Sequence, residues 1–410
     1  MSAVRANTVV ITAFACDPRL PSEPTIGWEY LTTWLEIAGD EDLRIIAVMN
    51  ERSRRATLDQ LRSERRDISR LTVVAPPEHR ALKVLRHHRL TRLEHIVWGW
   101  LTPRAVRRVA RRDEVLLARH VTFASELLPA PITWLRGPAL TVWGPVGSTG
   151  RADAYRYEPR PRDWRKRYLV QRLRDLLSTW CARRTGRRVD LSLVTSPILA
   201  ARLESDGSAA TVFPNTRPIK PSQQPERPKA DGQGLRLLCV GHLVPLKRFE
   251  LAIAALTRPA LAAARLTIAG KPAPGLGNHL LDLAHALGVA DRVSFLGQVD
   301  RGRVIAEMQA ADVLVHLSAR EGGSGVVGEA TAVGLPVVVF AGTGADAVLT
   351  YAGASGARIP AGTADDPDAV ADAVLRASEQ PRLPSNTWTN ERLSDMERAL
   401  LARARMRREA

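Results

Sequence analysis

Short runs of β-branched and aliphatic residues recur along the chain, separated by longer stretches in which apolar residues return at helical spacing. In the first part these runs cover residues 9–14, 43–49, 71–74, 115–117, 140–142 and 191–194. Apolar runs of this length between amphipathic stretches predict a parallel sheet covered by helices. Two of the helical stretches stand out. One lies within residues 80–112, interrupted at Pro103, with Leu85, Leu90, Leu93, Ile96 and Val97 on its apolar side, and the other spans residues 163–184. Both are basic and bear tryptophans, Trp98 and Trp100 in the first, Trp164 and Trp180 in the second. Packing against the sheet is the favoured reading of their apolar sides, with a membrane surface as the alternative.

The pattern breaks in residues 218–234, which are rich in proline, glycine and polar side chains and read as a linker. A second series of apolar runs then follows at 235–240, 265–269, 293–296, 313–317 and 337–340. Two doubly wound α/β domains are therefore expected, 1–217 and 235–385. The tail, 386–410, reads as a polar, arginine-rich helix that either packs back on the first domain or lies exposed.

A chain of 410 residues is too long for one compact core, which agrees with two domains. Hydrophobic content of 45% and charged content of 25% are those of a water-soluble globular protein. No stretch approaches the ~18 uninterrupted apolar residues of a membrane span. The chain passes from Arg5 into its first apolar run without a signal-peptide pattern, so a cytoplasmic protein is expected, with the inner face of the membrane as a peripheral location. Cys16, Cys181 and Cys239 are odd in number and lack metal-ligand spacing, so reduced, structural thiols are expected and no metal.

The net charge of +16 is unevenly divided: residues 1–233 hold 40 Lys and Arg against 25 Asp and Glu, residues 234–410 hold 19 against 18. Arg104, Arg107, Arg108, Arg111 and Arg112 form one basic concentration, Arg165, Lys166, Arg167, Arg183, Arg184, Arg187 and Arg188 another. Such patches suit anionic lipid, nucleic acid or a phosphorylated substrate, or are simply a solvated arginine-rich surface. No nucleic-acid-binding motif accompanies them, so no nucleic-acid partner is expected.

The strongest chemical signal is Glu321-Gly-Gly-Ser-Gly-Val-Val-Gly-Glu329, which follows an apolar run and reads as a glycine-rich turn entering a helix, with Glu321 at the mouth of the turn and Glu329 inside the helix. Glycines let the backbone approach a ligand, a helix start offers unpaired N–H groups to phosphate, and carboxylates accept bonds from sugar hydroxyls. The alternative is an ordinary βαβ unit with solvated glutamates. Three further loops follow predicted strands. Residues 16–29 contain Gly27 at the expected opening of a helix, Gly241-His242-Leu-Val-Pro-Leu-Lys247-Arg248 carries a cation at a helix start, and Arg119-His120-Val-Thr-Phe-Ala-Ser125 precedes Trp143-Gly-Pro-Val-Gly-Ser-Thr-Gly150. A cleft between the carboxyl ends of two sheets would gather these loops.

Their order and spacing resemble the retaining nucleotide-sugar glycosyltransferases of family 4, with the GT-B fold, over nearly the whole chain. The E-x7-E pair Glu321 and Glu329, the continuation GEATAVGLPVVV, VGHLVPLK, VSFLGQV and the FPNT at 213–216 carry the resemblance. It implies that His242 and Lys247 hold the donor diphosphate and that Glu329 accepts hydrogen bonds from the ribose. Gly323, Ser324, Gly325 and Val326 would meet sugar hydroxyls and phosphate, and Glu321 would stabilise positive charge at the anomeric carbon. From the first domain, Gly27 would pack against the diphosphate and His120 would orient sugar or acceptor. No cofactor or metal is implied beyond the nucleotide-sugar co-substrate.

The chain departs from the family where His242 replaces the usual arginine, so that the diphosphate would lean on Lys247 or Arg248, and where Ser324-Gly325 replaces Phe-Gly. The expected function is retaining transfer of a sugar from a UDP- or GDP-sugar to an envelope or lipid-linked glycan or to a small metabolite. A non-catalytic nucleotide-sugar or polyanion-binding protein on the same fold is the alternative.

Overall fold

The computed structural model describes residues 7–20, 23–77, 82, 84–85, 90–147, 164–213, 234–319, 321, 323–363, 365–385 and 390–409. Residues 148–150, 214–216 and 322 of the quoted motifs, and nearly all of the expected linker, lie outside this set. Contacts divide the chain into two units, one of residues 1–148, 176–217 and 390–410, the other of 149–175 and 218–389.

The first unit is built on seven strands: β1 (Thr8–Ala13), β2 (Arg44–Val48), β3 (Leu71–Val74), β4 (Val115–Thr122), β5 (Leu140–Val146), β6 (Leu191–Val194) and β7 (Ala210–Val212). They pair in the order β3-β2-β1-β4-β5-β6-β7, and every pairing is parallel. β1, β4 and β5 are buried along their whole length, which is why their sequences lack the alternation of a half-exposed strand. The missed strand β7 is a three-residue edge with an exposed centre, too short for an apolar run to announce it.

β4 is longer than its apolar run, because it continues through Arg119, His120 and Thr122, all without exposed surface. Burying a guanidinium requires a partner. Arg119 finds it in Glu397, at 2.8 Å, on the C-terminal helix Asn390–Glu409. Trp34 Nε1 donates to the same carboxylate at 2.9 Å, Arg119 Nη1 donates to the Val142 carbonyl at 3.2 Å, and the guanidinium lies 5.4 Å from the centre of the Tyr30 ring. Nearer the surface, Arg405 pairs with Glu41 at 2.8 Å and Arg407 with Asp190 at 2.7 Å. These contacts seat the chain's last helix on the first unit.

The second unit has β8 (Arg236–Val240), β9 (Arg265–Ala269), β10 (Val293–Gly297), β11 (Val313–His316), β12 (Val337–Phe340) and β13 (Gly356–Ile359), ordered β10-β9-β8-β11-β12-β13 and all parallel. Successive strand residues serve opposite cores. Leu237, Cys239, Val313, Val315, Val338 and Phe340 pack on one side, and Leu238, Val240, Leu314, Val337 and Val339 on the other. Both units are thus Rossmann-like, and each has a point where the strand order reverses, between β1 and β4 and between β8 and β11.

The two tryptophan-bearing helices behave differently from the packing expected of them. In Thr91–Arg107, Trp98 is buried and Trp100 is 72% exposed. In Trp164–Gly186, Trp180 and the described leucines face outward.

Removing Glu397 would leave Arg119 charged in a dry site, so Glu397→Ala should destabilise the first unit by about 3–5 kcal/mol. Denaturant unfolding followed by the fluorescence of Trp34 and its neighbours measures this; a change within experimental error would show that the helix is not anchored by the pair.

Candidate active site

Open α/β sheets leave a crevice beyond the strand ends where neighbouring connections depart in opposite directions. In the second unit the loops leaving β8 and β11 meet at such a point. The first runs through Gly241, whose φ of +145° excludes most side chains, into the short 3-10 turn Pro245–Lys247. Gly270, at the end of β9, is required for the same approach: a Cβ there would lie 1.8 Å from the Gly241 carbonyl oxygen.

The turn aims Lys247 at the loop after β11, where its ammonium pairs with Glu321. His316, the last residue of β11, places Nε2 3.2 Å from Glu321 Oε1 and 3.1 Å from Ser324 Oγ. An ionised carboxylate offers only acceptors, so this contact requires the proton on Nε2. Ser324 caps the helix Gly325–Ala332 by accepting the Val327 N–H at 3.4 Å. The resulting chain Lys247–Glu321–His316–Ser324 leads from a cation to a helix N-terminus, where backbone N–H groups favour anions.

Burial alone would raise the Glu321 carboxyl, but the hydrogen bond from His316 and the Lys247 charge outweigh it and bring it down to about 2. His316 is lowered from the usual imidazole value, first by burial and then by Lys247, against the pull of Glu321. At neutral pH the cluster therefore contains an ionised glutamate and a neutral histidine. Gly323 is half-buried, Gly325 exposed and Val326 half-buried, and a Cβ on Gly325 would meet nothing within 4 Å.

Glu329 lies further along that helix and accepts from Arg301 Nε at 3.0 Å. Arg301 Nη2 is buried without a hydrogen-bond partner. The two glutamates of the E-x7-E pattern thus sit in different pairs. His242 is exposed in the loop before the turn and takes no part in the Lys247 cluster. Arg248 is not available for a diphosphate: it is buried in a left-handed conformation and held by Glu250 and, at 2.6 Å, by Asp365.

The first unit offers a separate cavity of about 650 Å³ at its own reversal point, between the ends of β1 and β4. Phe14, Phe123, Glu23, Glu94, Asn50 and Arg52 are among its lining residues. Burial raises Glu23, partly offset by the Phe123 N–H that donates to it at 2.8 Å, and Phe123 is held at φ +56°. Beside this wall lies His95, lowered to about 4 by burial, with both ring nitrogens buried and unpartnered and its ring centre 5.6 Å from that of His120.

His120 itself lies within β4, not on a loop after it. Its Nδ1 is 2.9 Å from Thr12 Oγ1, and burial, reinforced by His95, lowers it well below the usual value. Gly27 lies in the second turn of the helix Glu23–Asp40, rather than at its opening, and a Cβ there would come within 2.2 Å of the Ala15 carbonyl oxygen. Its lack of a side chain is explained by helix-to-strand packing.

His316 and Arg301 went unremarked in the sequence although both adjoin quoted motifs. A histidine ending an apolar strand at a reversal point was the available signal for the first. Arg301 had none, since its pairing with Glu329 spans 28 positions.

Residues 222–393 match the family described as Glycosyl transferases group 1. The D-inositol 3-phosphate glycosyltransferase of Mycobacteroides abscessus is 36% identical over 141 residues, which are 33% of this chain and 31% of that protein. Its counterpart in Mycolicibacterium vanbaalenii is 32% identical over 170 residues, 37% of each chain. The chain therefore matches about a third of the length of these relatives. Among solved structures, the lipopolysaccharide outer core galactosyltransferase WaaB aligns over 95% of this chain and 99% of its own with a TM-score of 0.58 at 13% identity. The α,α-trehalose 6-phosphate synthase of Burkholderia multivorans aligns over 98% and 97%, again with a TM-score of 0.58 at 13% identity. The shared architecture is the GT-B fold, two Rossmann-like α/β domains.

A carboxyl lowered on folding stabilises the folded state above its ordinary value near 4.5, and that contribution is lost as pH falls toward about 2. In carboxyl-carbon NMR Glu321 should titrate near the lower limit, alongside Glu51, which Arg54 and Arg55 also bring down to about 2, and Lys247→Ala should move only the Glu321 signal upward. A Glu321 signal at the ordinary value in the parent chain would contradict the cluster's electrostatics.

Proposed function

From the group 1 glycosyl transferase match over residues 222–393 and the GT-B fold, we propose that this protein is a retaining, metal-independent glycosyltransferase using a UDP- or GDP-sugar. The observation that carries the reading is the Lys247–Glu321–His316 cluster beside the start of the helix Gly325–Ala332, at the reversal point of the matched unit.

The donor diphosphate would lie against that helix start, over Gly323 to Val326. Lys247 has three N–H donors, so it can keep Glu321 and still receive a phosphate oxygen. Ribose hydroxyls would bond to Glu329, whose carboxylate Arg301 orients. As the bond from the anomeric carbon to the leaving phosphate oxygen lengthens, positive charge grows on the sugar ring. Glu321, ionised and fixed by two partners, stabilises that charge without having to reorganise. The acceptor hydroxyl attacks from the face the phosphate leaves, its oxygen bonding to the anomeric carbon while its proton passes to the departing phosphate. His316 stays neutral and holds Glu321 in place.

The acceptor is assigned to the cavity of the first unit. Glu23 and Glu94 present carboxyl groups to hydroxyls, and Phe14 and Phe123 supply apolar walls for the faces of a ring. His120 acts from beneath, through Thr12 and beside His95, as a positioning residue. An envelope glycan and a small polyhydroxylated metabolite both fit this chemistry, and the charge of the first unit favours the first.

Thermal denaturation with UDP, GDP, ADP and TDP should show a raised melting temperature with one of them, reduced in Lys247→Ala. Glu321→Gln should lower turnover by about 10²–10³-fold while that shift persists. Full turnover in this variant, or no stabilisation by any nucleotide, overturns the proposal. Glu94→Gln should raise the acceptor KM about tenfold, consistent with loss of a hydrogen bond, and leave the nucleotide shift unchanged.

A further inference from the structure

The helix Trp164–Gly186 is built inside out. Its protein-facing side is small and polar, with Ser178, Ala182, Thr185 and Gly186 buried. Ala182 belongs to the core of the first unit together with Leu199 and Leu203, and a Cβ on Gly186 would come within 3.1 Å of Leu203 Cδ2. The opposite side carries the large apolar residues. Leu169, Leu173, Leu176 and Trp180 follow one another at helical spacing, Val170 and Leu177 widen the stripe, and all six are between 54% and 65% exposed. A helix that packs through its small residues and turns its leucines outward reverses the usual amphipathic arrangement.

The charges that the helix itself supplies are almost all basic. Within the helix sequence seven Lys and Arg oppose the single Asp175. Arg172 falls along one margin and Arg174 along the other, while Arg183, on the same side as Arg172, is paired with Asp206 at 2.6 Å. Arg184 lies 5.6 Å from the centre of the Trp180 ring. Among the described residues no helix is long and apolar enough to cross a membrane. A stripe of leucines and one tryptophan bordered by arginines suits a helix lying in the plane of an interface, where the apolar chains enter the acyl boundary and the guanidinium groups remain at phosphate level.

We propose that the outward face of Trp164–Gly186 docks this protein on an anionic lipid bilayer. Charge complementarity selects this occupant: an acidic protein could pair with the arginines but gives no reason for a long, one-sided leucine stripe, whereas anionic phospholipid answers both features. The inference is independent of the transferase reading, which the nucleotide thermal shift tests separately.

The test is sedimentation of the full chain with vesicles of phosphatidylcholine, with and without phosphatidylglycerol, at low and high salt. The parent chain should bind the phosphatidylglycerol vesicles, and binding should weaken as salt rises. The triple variant Leu173→Ser/Leu176→Ser/Trp180→Ser should bind these vesicles about tenfold or more weakly. These side chains already face water, so the variant should keep its circular dichroism spectrum and its nucleotide thermal shift. A salt-sensitive interaction that the triple variant retains in full would mark charge attraction without docking of the stripe, and overturns the proposal. Absence of binding to any vesicle overturns it as well. So does a light-scattering mass showing that the parent chain is a dimer and the variant a monomer, with equal vesicle binding, because the stripe would then be covered by a second copy.

Discussion

Both units are parallel sheets covered on two faces, and that single constraint decides where chemistry can occur. A strand buried on both sides has no solvated position for a polar side chain, so ligand groups must come from the loops at strand ends or be compensated inside. The loops concentrate at the two reversal points, beside β1 and β4 and beside β8 and β11. The first supplies a cavity walled by phenylalanines and glutamates, the second a cation, a carboxylate and a helix start.

The polar residues that do enter the sheets show what compensation requires. Arg119 remains charged in β4 because Glu397, Trp34 and the Val142 carbonyl surround it. His120, its neighbour, is accommodated by losing its charge and bonding to Thr12. His316 is neutral at the end of β11 and uses its one donor to hold Glu321. Lys247 and Arg248 make the contrast sharpest. They are adjacent in sequence, yet the 3-10 turn presents Lys247 to the loop after β11, while the left-handed residue following it is turned inward and consumed by Glu250 and Asp365.

A second consequence concerns the surface. Helices on a doubly wound sheet normally turn their apolar side inward, and Thr91–Arg107 does so only in part, burying Trp98 while Leu93 and Trp100 stay exposed. Trp164–Gly186 instead uses a small, polar side for the protein and leaves its leucines outside. Apolar periodicity is the same whichever way a helix is turned, so it cannot reveal this orientation; it is decided by which side fits against Leu203 and Ser208.

Apolar patterning alone determined most of the architecture. β3, β6, β9 and β12 have the limits that their apolar runs predict, and the short edge strands β7 and β13 escaped because an edge needs no continuous apolar run. Local sequence also determined that Glu321, Ser324 and Gly325 stand at a strand-to-helix turn, since glycine, a capping hydroxyl and helical spacing are local properties. Tertiary structure decided the partners. Arg119 with Glu397 spans 278 positions, Lys247 with Glu321 spans 74 and Arg301 with Glu329 spans 28. It also placed His120 inside β4, gave Gly27 a packing role against Ala15 and withdrew Arg248 from the site. The physical reason is the same in each case: a backbone preference acts over a few residues, whereas the ionisation and availability of a side chain depend on groups that only the folded chain brings within a few ångströms.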